Sequence, residues 1–91
     1  MLSNQRQIEA FRAAFELGSA TAASEFMHVS QPAVSRLLKD LERSIGFRLF
    51  ERRARGLVPT RDAEVLYAEV KLSLSFMTFF KKDEPDMVNS G

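Results

Sequence analysis

The side chains of this chain that could do recognition chemistry are concentrated in one short segment, Val29–Asp40. Gln31, Ser35 and Arg36 supply amide, hydroxyl and guanidinium groups, which can hydrogen-bond the edges of base pairs. Lys39 adds a second cation one turn further along. An exposed helix end carrying these groups is the kind of element that the major groove of DNA accepts. The segment therefore favours a nucleic-acid-binding function.

The same segment has the signals of a helix with one buried face. Ser30 is a favourable N-cap, and Pro32 fits the first turn, where its missing N–H costs nothing. Gly46 is a natural helix end. Apolar residues recur at helical spacing and form a single stripe: Val34, Leu38, Leu41 and Ile45. The polar groups fall largely off this stripe, so we expect them on the solvent side.

Two shorter helices are predicted before this one. Apolar residues at helical spacing over Gln5–Leu17 predict the first helix. Ser19 or Thr21 can cap a second helix that ends at Met27, and we expect Phe26 and Met27 to be available for the core. The residues predicted to form the core are Ile8, Phe11, Phe15, Leu38, Leu41, Ile45 and Phe50.

After the third helix the pattern predicts a β-hairpin. Phe47–Glu51 can supply one short strand, Arg52–Gly56 a basic turn and Leu57–Pro59 the returning strand. The predicted fold is mainly α: a winged helix-turn-helix of three helices and a two-stranded wing. We expect this DNA-binding domain to span residues 1–60.

A long helix is predicted to follow the wing over residues 61–82, with a polar, disordered tail at 83–91. Thr60 is its expected cap, and its apolar arc of about 220° is too wide to cover a single core face. We expect the surplus to be covered by a second copy of the chain, with a missing domain as the alternative. The residues assigned to this dimer interface are Val65, Leu66, Val70, Leu72, Phe76, Met77, Phe79 and Phe80.

Charge is distributed unevenly although the net charge of the 91-residue chain is only +1. Residues 28–61 contain eight cations and three acids, a balance of +5, whereas the remainder contains five cations and nine acids, a balance of −4. Such an asymmetry indicates a surface for a polyanion, with a solvated basic face as the alternative.

Composition excludes several other function classes. The chain has no cysteine, and it shows no metal-ligand spacing, no serine–histidine–acid set and no glycine-rich phosphate loop. We therefore expect no enzyme activity, no cofactor and no metal. No signal peptide or membrane span is evident, so we expect a cytoplasmic, nucleoid-associated protein.

Several collinear motifs resemble the N-terminal domain of LysR-type transcriptional regulators. The segment His28–Ser35 is similar to the recognition segment of that family almost letter for letter, and Gly46–Arg52 is similar to its entry into the wing. Gly56 and Pro59-Thr60 match the exit from the wing. The resemblance spans Gln5 to about Val70. It implies sequence-specific binding to double-stranded, pseudo-palindromic promoter DNA by a homodimer, and members of the family continue into an effector-binding domain that this chain is too short to form.

The resemblance and the predicted helix together define the expected DNA-binding residues. These are Ser30, Gln31, Pro32, Ala33, Ser35, Arg36, Lys39, Arg48, Arg52, Arg53, Arg55 and Thr60. Several have a structural alternative: Arg52 can pair with Glu51 or Glu42, Arg48 can form a salt bridge, and Thr60 is chiefly a helix cap. A second function remains open, in which the chain is an interaction module that forms a heterodimer with a full-length LysR-type regulator and modulates its DNA binding.

Overall fold

The computed structural model describes residues 2–72 of the chain. Three helices come first, α1 (Leu2–Leu17), α2 (Ala20–Met27) and α3 (Gln31–Ile45). Two strands follow, β1 (Phe50–Arg53) and β2 (Gly56–Pro59), which form an antiparallel hairpin. Residues 61–72 are again helical and are called α4 below. This order of elements confirms the predicted winged helix-turn-helix.

Local capping signals explain where the helices begin and end. Ser19 is the N-cap of α2, and its hydroxyl accepts a hydrogen bond from the backbone N–H of Ala22 at 2.9 Å. Ser30 caps α3 in the same way, and Gly46 ends it with a left-handed backbone (φ 88°). His28 also takes the left-handed conformation (φ 60°) at the end of α2. The turn between α2 and α3 is therefore tight.

The core lies where the three helices and the hairpin meet. Phe11 of α1, Val34 of α3 and Leu49 just before β1 are its largest fully buried side chains. Alanines fill much of the rest and allow the helices to approach closely: Ala10, Ala13, Ala14, Ala20, Ala23 and Ala63. Of the predicted core residues, Phe11, Leu38, Leu41 and Phe50 are buried, whereas Ile8, Phe15 and Ile45 are partly buried and pack against the core.

The prediction for Phe26 is wrong. This side chain is 71% exposed, because α2 buries the stripe that contains Ala20, Ala23 and Ser24, and Phe26 lies off that stripe. Met27, one position further on, is partly buried and packs against the core as expected.

The hairpin begins later than the sequence predicts. Pairing starts at Phe50↔Pro59 and ends at Arg53↔Gly56, so residues 47–49 lie outside β1, and Arg52, Arg53 and Gly56 belong to the strands rather than to the turn. One position before β1, the carbonyl oxygen of Leu49 still accepts the N–H of Thr60 at 2.9 Å, but its own N–H donates to a carboxylate oxygen of Glu42 at 2.7 Å, so only half of a strand pair forms there.

The hairpin is also attached to the turn between α1 and α2. The backbone N–H of Leu57 donates to the carbonyl oxygen of Gly18 at 3.0 Å. Gly56, with φ 121°, lies so close that a Cβ at this position would be 2.5 Å from the same oxygen. Only glycine fits both the conformation and the space at the end of the turn.

Helix α4 packs onto the same core with its first turns. Thr60 caps it by accepting the N–H of Ala63 at 3.1 Å, and Ala63 is fully buried. The ring of Tyr67 stacks on Phe15 with centroids 4.0 Å apart and an interplanar angle of 7°. Its hydroxyl donates to Glu16 at 2.7 Å, and this hydrogen bond is the main reason that the pKa of Glu16 lies below its usual value.

Candidate nucleic-acid interface

The N-terminal end of α3 is an exposed polar surface backed by a buried apolar one. Gln31, Pro32 and Arg36 are exposed, whereas Val34 and Leu38 are buried. The Ser30 hydroxyl accepts the N–H of Ala33 at 3.2 Å, which fixes the start of the helix. In this first turn Pro32 has no N–H and the N–H of Ala33 is taken by Ser30, so the N–H of Gln31 is the one left to meet an anion, together with the positive end of the helix dipole.

Ser35 and Lys39 lie on the side of α3 that faces the wing, whereas Ala33 lies at the helix start beside Pro32 and Arg36. Ser35 is half-buried, and the exposed Lys39 follows it one turn later. Glu42 lies a further turn along, so the three residues share one face of the helix. This face and β1 line a cleft of about 480 Å³, together with Arg48, Phe50, Glu51, Arg53 and Leu57.

The arginines of the wing differ in what they contact. Arg52 donates from Nη2 to the Oγ of Ser35 at 3.1 Å, so it joins the wing to α3 rather than pairing with Glu42 or Glu51. Arg53 forms the ion pair with Glu51 at 2.6 Å, and the Arg53 guanidinium lowers the pKa of that carboxyl. Arg55 is exposed in the two-residue turn between the strands. The wing thus keeps exposed cations at its tip and beside α3.

Arg48 and Thr60 take part in the structure around the base of the hairpin. Arg48 donates from Nη2 to the carbonyl oxygen of Phe50 at 3.3 Å, which differs from the salt bridge considered above. The Thr60 hydroxyl donates to the carbonyl oxygen of Arg48 at 2.8 Å while it caps α4. The capping interpretation of Thr60 is confirmed, and its hydroxyl proton is already used within the protein.

Sequence reasoning missed two residues at this surface. Arg6 of α1 lines a cleft with Ser30 and Arg36, so the fold brings a cation from the acid-rich part of the chain to the start of α3. Glu42 holds the wing by accepting the N–H groups of Leu49 at 2.7 Å and, more weakly, Phe50 at 3.4 Å. No local pattern signals either role, because each depends on residues that are distant in the sequence or on backbone atoms.

The residues predicted to form a dimer interface divide into three groups. Val65 and Leu72 are 57% and 71% exposed on α4. Leu66 and Val70 instead pack partly against the core of their own chain. Phe76, Met77, Phe79 and Phe80 lie outside the described residues, as do the predicted tail and the end of the linker helix.

Among residues 2–72, no helix is long and apolar enough to cross a bilayer. The same residues contain no cluster of histidine and acidic side chains with the arrangement of a metal site.

Comparison with known proteins identifies a family for most of the described chain. Residues 5–64 match the family described as "Bacterial regulatory helix-turn-helix protein, lysR family". The octopine catabolism/uptake operon regulatory protein OccR of Rhizobium meliloti is 54% identical over 67 residues, which cover 74% of this chain and 23% of OccR. The transcriptional activator protein LysR of Escherichia coli K12 is 46% identical over 70 residues, covering 77% and 22% respectively. The chain therefore corresponds to about a quarter of the length of these curated relatives.

Solved structures of isolated domains match over almost their whole length. A complex of the BenM DNA-binding domain with benA site 1 DNA is 26% identical and has a TM-score of 0.80, covering 94% of this chain and 97% of that one. A CbnR DNA-binding domain–DNA complex is 29% identical with a TM-score of 0.77, covering 91% and 95%. Both similar domains were crystallised with DNA bound.

Proposed function

This chain belongs to the LysR family of bacterial helix-turn-helix regulators, and we propose that it binds double-stranded DNA by placing the start of α3 in the major groove. The single observation that carries the proposal is the division of α3 into two faces. Gln31 and Arg36 are exposed on one, while Val34 and Leu38 are buried on the other. The family is one of transcription regulators and not of enzymes, so binding rather than catalysis is the activity.

The side chains of the α3 surface suit the major groove in different ways. Gln31 can make two hydrogen bonds to adenine, and Arg36 can do the same with guanine or hold a phosphate. Pro32 and Ala33 offer apolar contact to a thymine methyl group. The Ser30 oxygen accepts the capping hydrogen bond from Ala33, so its hydroxyl proton is the group left to donate to a phosphate at the helix start.

Cations around α3 would supply most of the affinity through the phosphates. Lys39 and Arg48 lie along the cleft between α3 and the wing, and Arg6 lies beside the helix start. Arg53 and Arg55 extend over the backbone or into the minor groove, where narrow A·T-rich tracts attract arginine. Phosphate contacts position the protein and base contacts select the sequence. We propose in addition that the protein is found at the nucleoid in the cytoplasm, where its DNA sites are.

The test starts from duplexes selected by the protein from a random pool. Gln31→Ala and Arg36→Ala should reduce binding to the selected duplex by roughly 5- to 150-fold each if both make base contacts, and should affect a scrambled duplex much less. Arg12→Ala is the control, because this exposed arginine of α1 pairs with Glu16 and loses the same charge away from α3. Full selectivity in both α3 variants would contradict the proposal.

We also propose that the chain forms a homodimer through α4. Val65 and Leu72 are seven residues apart, hence on one face of the helix, and both are largely exposed. A twofold dimer would present two copies of α3 to the half-sites of a pseudo-palindromic site. The homodimer predicts twice the chain mass by light scattering, and Leu72→Glu should shift the mass towards the monomer. A monomeric parent that gains mass only with a full-length LysR-type regulator would favour the heterodimer instead.

A further inference from the structure

One hydrogen bond connects two residues that both belong to the proposed DNA-binding surface. Arg52 of β1 donates from Nη2 to the Oγ of Ser35 on α3, at 3.1 Å and across 17 residues of sequence. Both side chains reach the cleft between α3 and the wing. The contact therefore belongs to the fold of the chain itself.

The fold holds these two residues opposite each other. Glu42, two helical turns after Ser35, anchors the start of β1 through the N–H groups of Leu49 and Phe50. Phe50 is buried, and Arg52 is two residues further along the strand, so the two share a face of the hairpin. The strand thus runs back beside α3 and brings Arg52 to the level of Ser35.

The direction of the hydrogen bond determines what Ser35 has left to offer. A serine hydroxyl has one proton to donate and two lone pairs to accept with, whereas a guanidinium can only donate. The guanidinium donates into one lone pair of the Ser35 oxygen, so the hydroxyl proton points away from Arg52 and one lone pair remains. Ser35 is then oriented to donate.

We propose that Arg52 is a positioning residue that makes Ser35 a hydrogen-bond donor to one base edge and so sets the preference at that position. Guanine, adenine and thymine present acceptor atoms in the major groove, whereas cytosine presents only its amino donor and the edge C–H. Ser35 therefore disfavours cytosine on the strand that it reads. This inference rests on the proposed placement of α3 in the major groove.

The alternative role for Arg52 is a phosphate contact alone. A guanidinium has five N–H donors, so the contact with Ser35 leaves others for a phosphate oxygen. A phosphate contact lowers affinity for all sequences alike when it is removed. A positioning role changes the preference among bases at one position, and this difference separates the two roles.

The experiment measures affinities of the parent and four variants on a selected duplex and on its single-base-pair substitutions. Ser35→Ala identifies the position, as the one where substitution no longer matters. We expect the parent to disfavour cytosine there by about 2- to 12-fold, the value of one hydrogen bond. Arg52→Ala should remove most of this ratio, and adding it to Ser35→Ala should change the ratio no further. Arg52→Lys, which keeps a donor, should restore part of it.

Arg53→Ala is the matched control. It removes the same charge from the adjacent strand position, but its guanidinium pairs with Glu51 and not with α3. It should lower affinity evenly and leave the base ratio at the Ser35 position unchanged. Circular dichroism of each variant checks that these surface substitutions leave the helix content intact.

Two outcomes would overturn the inference, and they differ from failure of the proposed function. If Arg52→Ala lowers affinity evenly and keeps the discrimination against cytosine, Arg52 contacts phosphate only. If Ser35→Ala changes no base preference anywhere, Ser35 reads no base. If the parent selects no duplex from the pool, the placement of α3 in DNA is itself wrong.

Discussion

Glu42→Ala should destabilise this domain far more than its position on the surface of α3 suggests. The carboxylate accepts the N–H of Leu49 at 2.7 Å, and Leu49 is fully buried. Removal of Glu42 leaves that donor without its partner and detaches the base of the wing from α3. A buried donor without a partner costs the full penalty for removing it from water.

The magnitude follows from the geometry of this contact. A hydrogen bond to a charged group contributes about 1.5–3 kcal/mol, and the longer contact to Phe50, at 3.4 Å, adds little. For a domain of this size about 4–8 °C of melting temperature corresponds to each kcal/mol, so Glu42→Ala should lower the Tm by about 6–24 °C. Glu42→Gln keeps an acceptor without the charge and should lose roughly half as much free energy.

The assay combines thermal unfolding with amide hydrogen exchange at Leu49. Asp40→Ala is the matched control, since it removes an acid from the same helix that, among residues 2–72, forms only an exposed ion pair with Arg43 at 3.1 Å. Such surface pairs contribute about 0–1 kcal/mol. The reasoning is refuted if Glu42→Ala and Asp40→Ala lower the Tm equally, or if the Leu49 amide exchanges no faster in Glu42→Ala.

Two further predictions concern the attachment of the wing and of α4. Gly56→Ala should destabilise the domain by more than Gly46→Ala. Both glycines have positive φ, but of the two only Gly56 has a backbone oxygen 2.5 Å from its Cβ position. Equal decreases in the free energy of unfolding, measured in urea, would contradict this. Tyr67→Phe should destabilise near pH 7, and the difference from the parent should shrink as the pH falls. The pKa of Glu16 is lowered in the folded state, so its stabilisation is present above the ordinary value of 4.5 and is lost as the carboxyl protonates below it; a pH-independent difference would exclude the link to Glu16.

The helices could be predicted from the sequence because their signals are local. Ser30, Pro32 and Gly46 fix α3 within a few residues, and the spacing of its apolar residues identifies the buried face. The same spacing identifies the exposed face, so the candidate DNA-binding surface followed without knowledge of the tertiary structure. The limits of α3 and the burial of Val34 and Leu38 confirm the predicted helix and its buried face.

The limits of the hairpin and the contact partners of its arginines could not be predicted in this way. The base of the hairpin is held by Glu42, which accepts backbone N–H groups seven and eight residues away. Arg52 bonds Ser35 across 17 residues, and no rule of local spacing distinguishes it from Arg53. Long-range contacts of this kind become visible only when the elements are packed.

The prediction for Phe26 is wrong for a different reason. It follows the hydrophobicity of the side chain and not the helical period, which is a local rule. A phenylalanine near the end of an alanine-rich helix was expected in the core, although the helical repeat puts it beside the buried stripe rather than on it. The helical period, and not hydrophobicity alone, gives the correct exposure of Phe26.

The central claim is that the start of α3 meets the bases, and an NMR titration of the labelled chain with its selected duplex tests it most directly. We expect the largest changes in amide chemical shift on residues 30–39 and 52–56. The cleft that Phe26 of α2 lines together with α1, called the α1–α2 surface, should change little. Changes confined to the α1–α2 surface, with residues 30–39 unaffected at saturation, would contradict it.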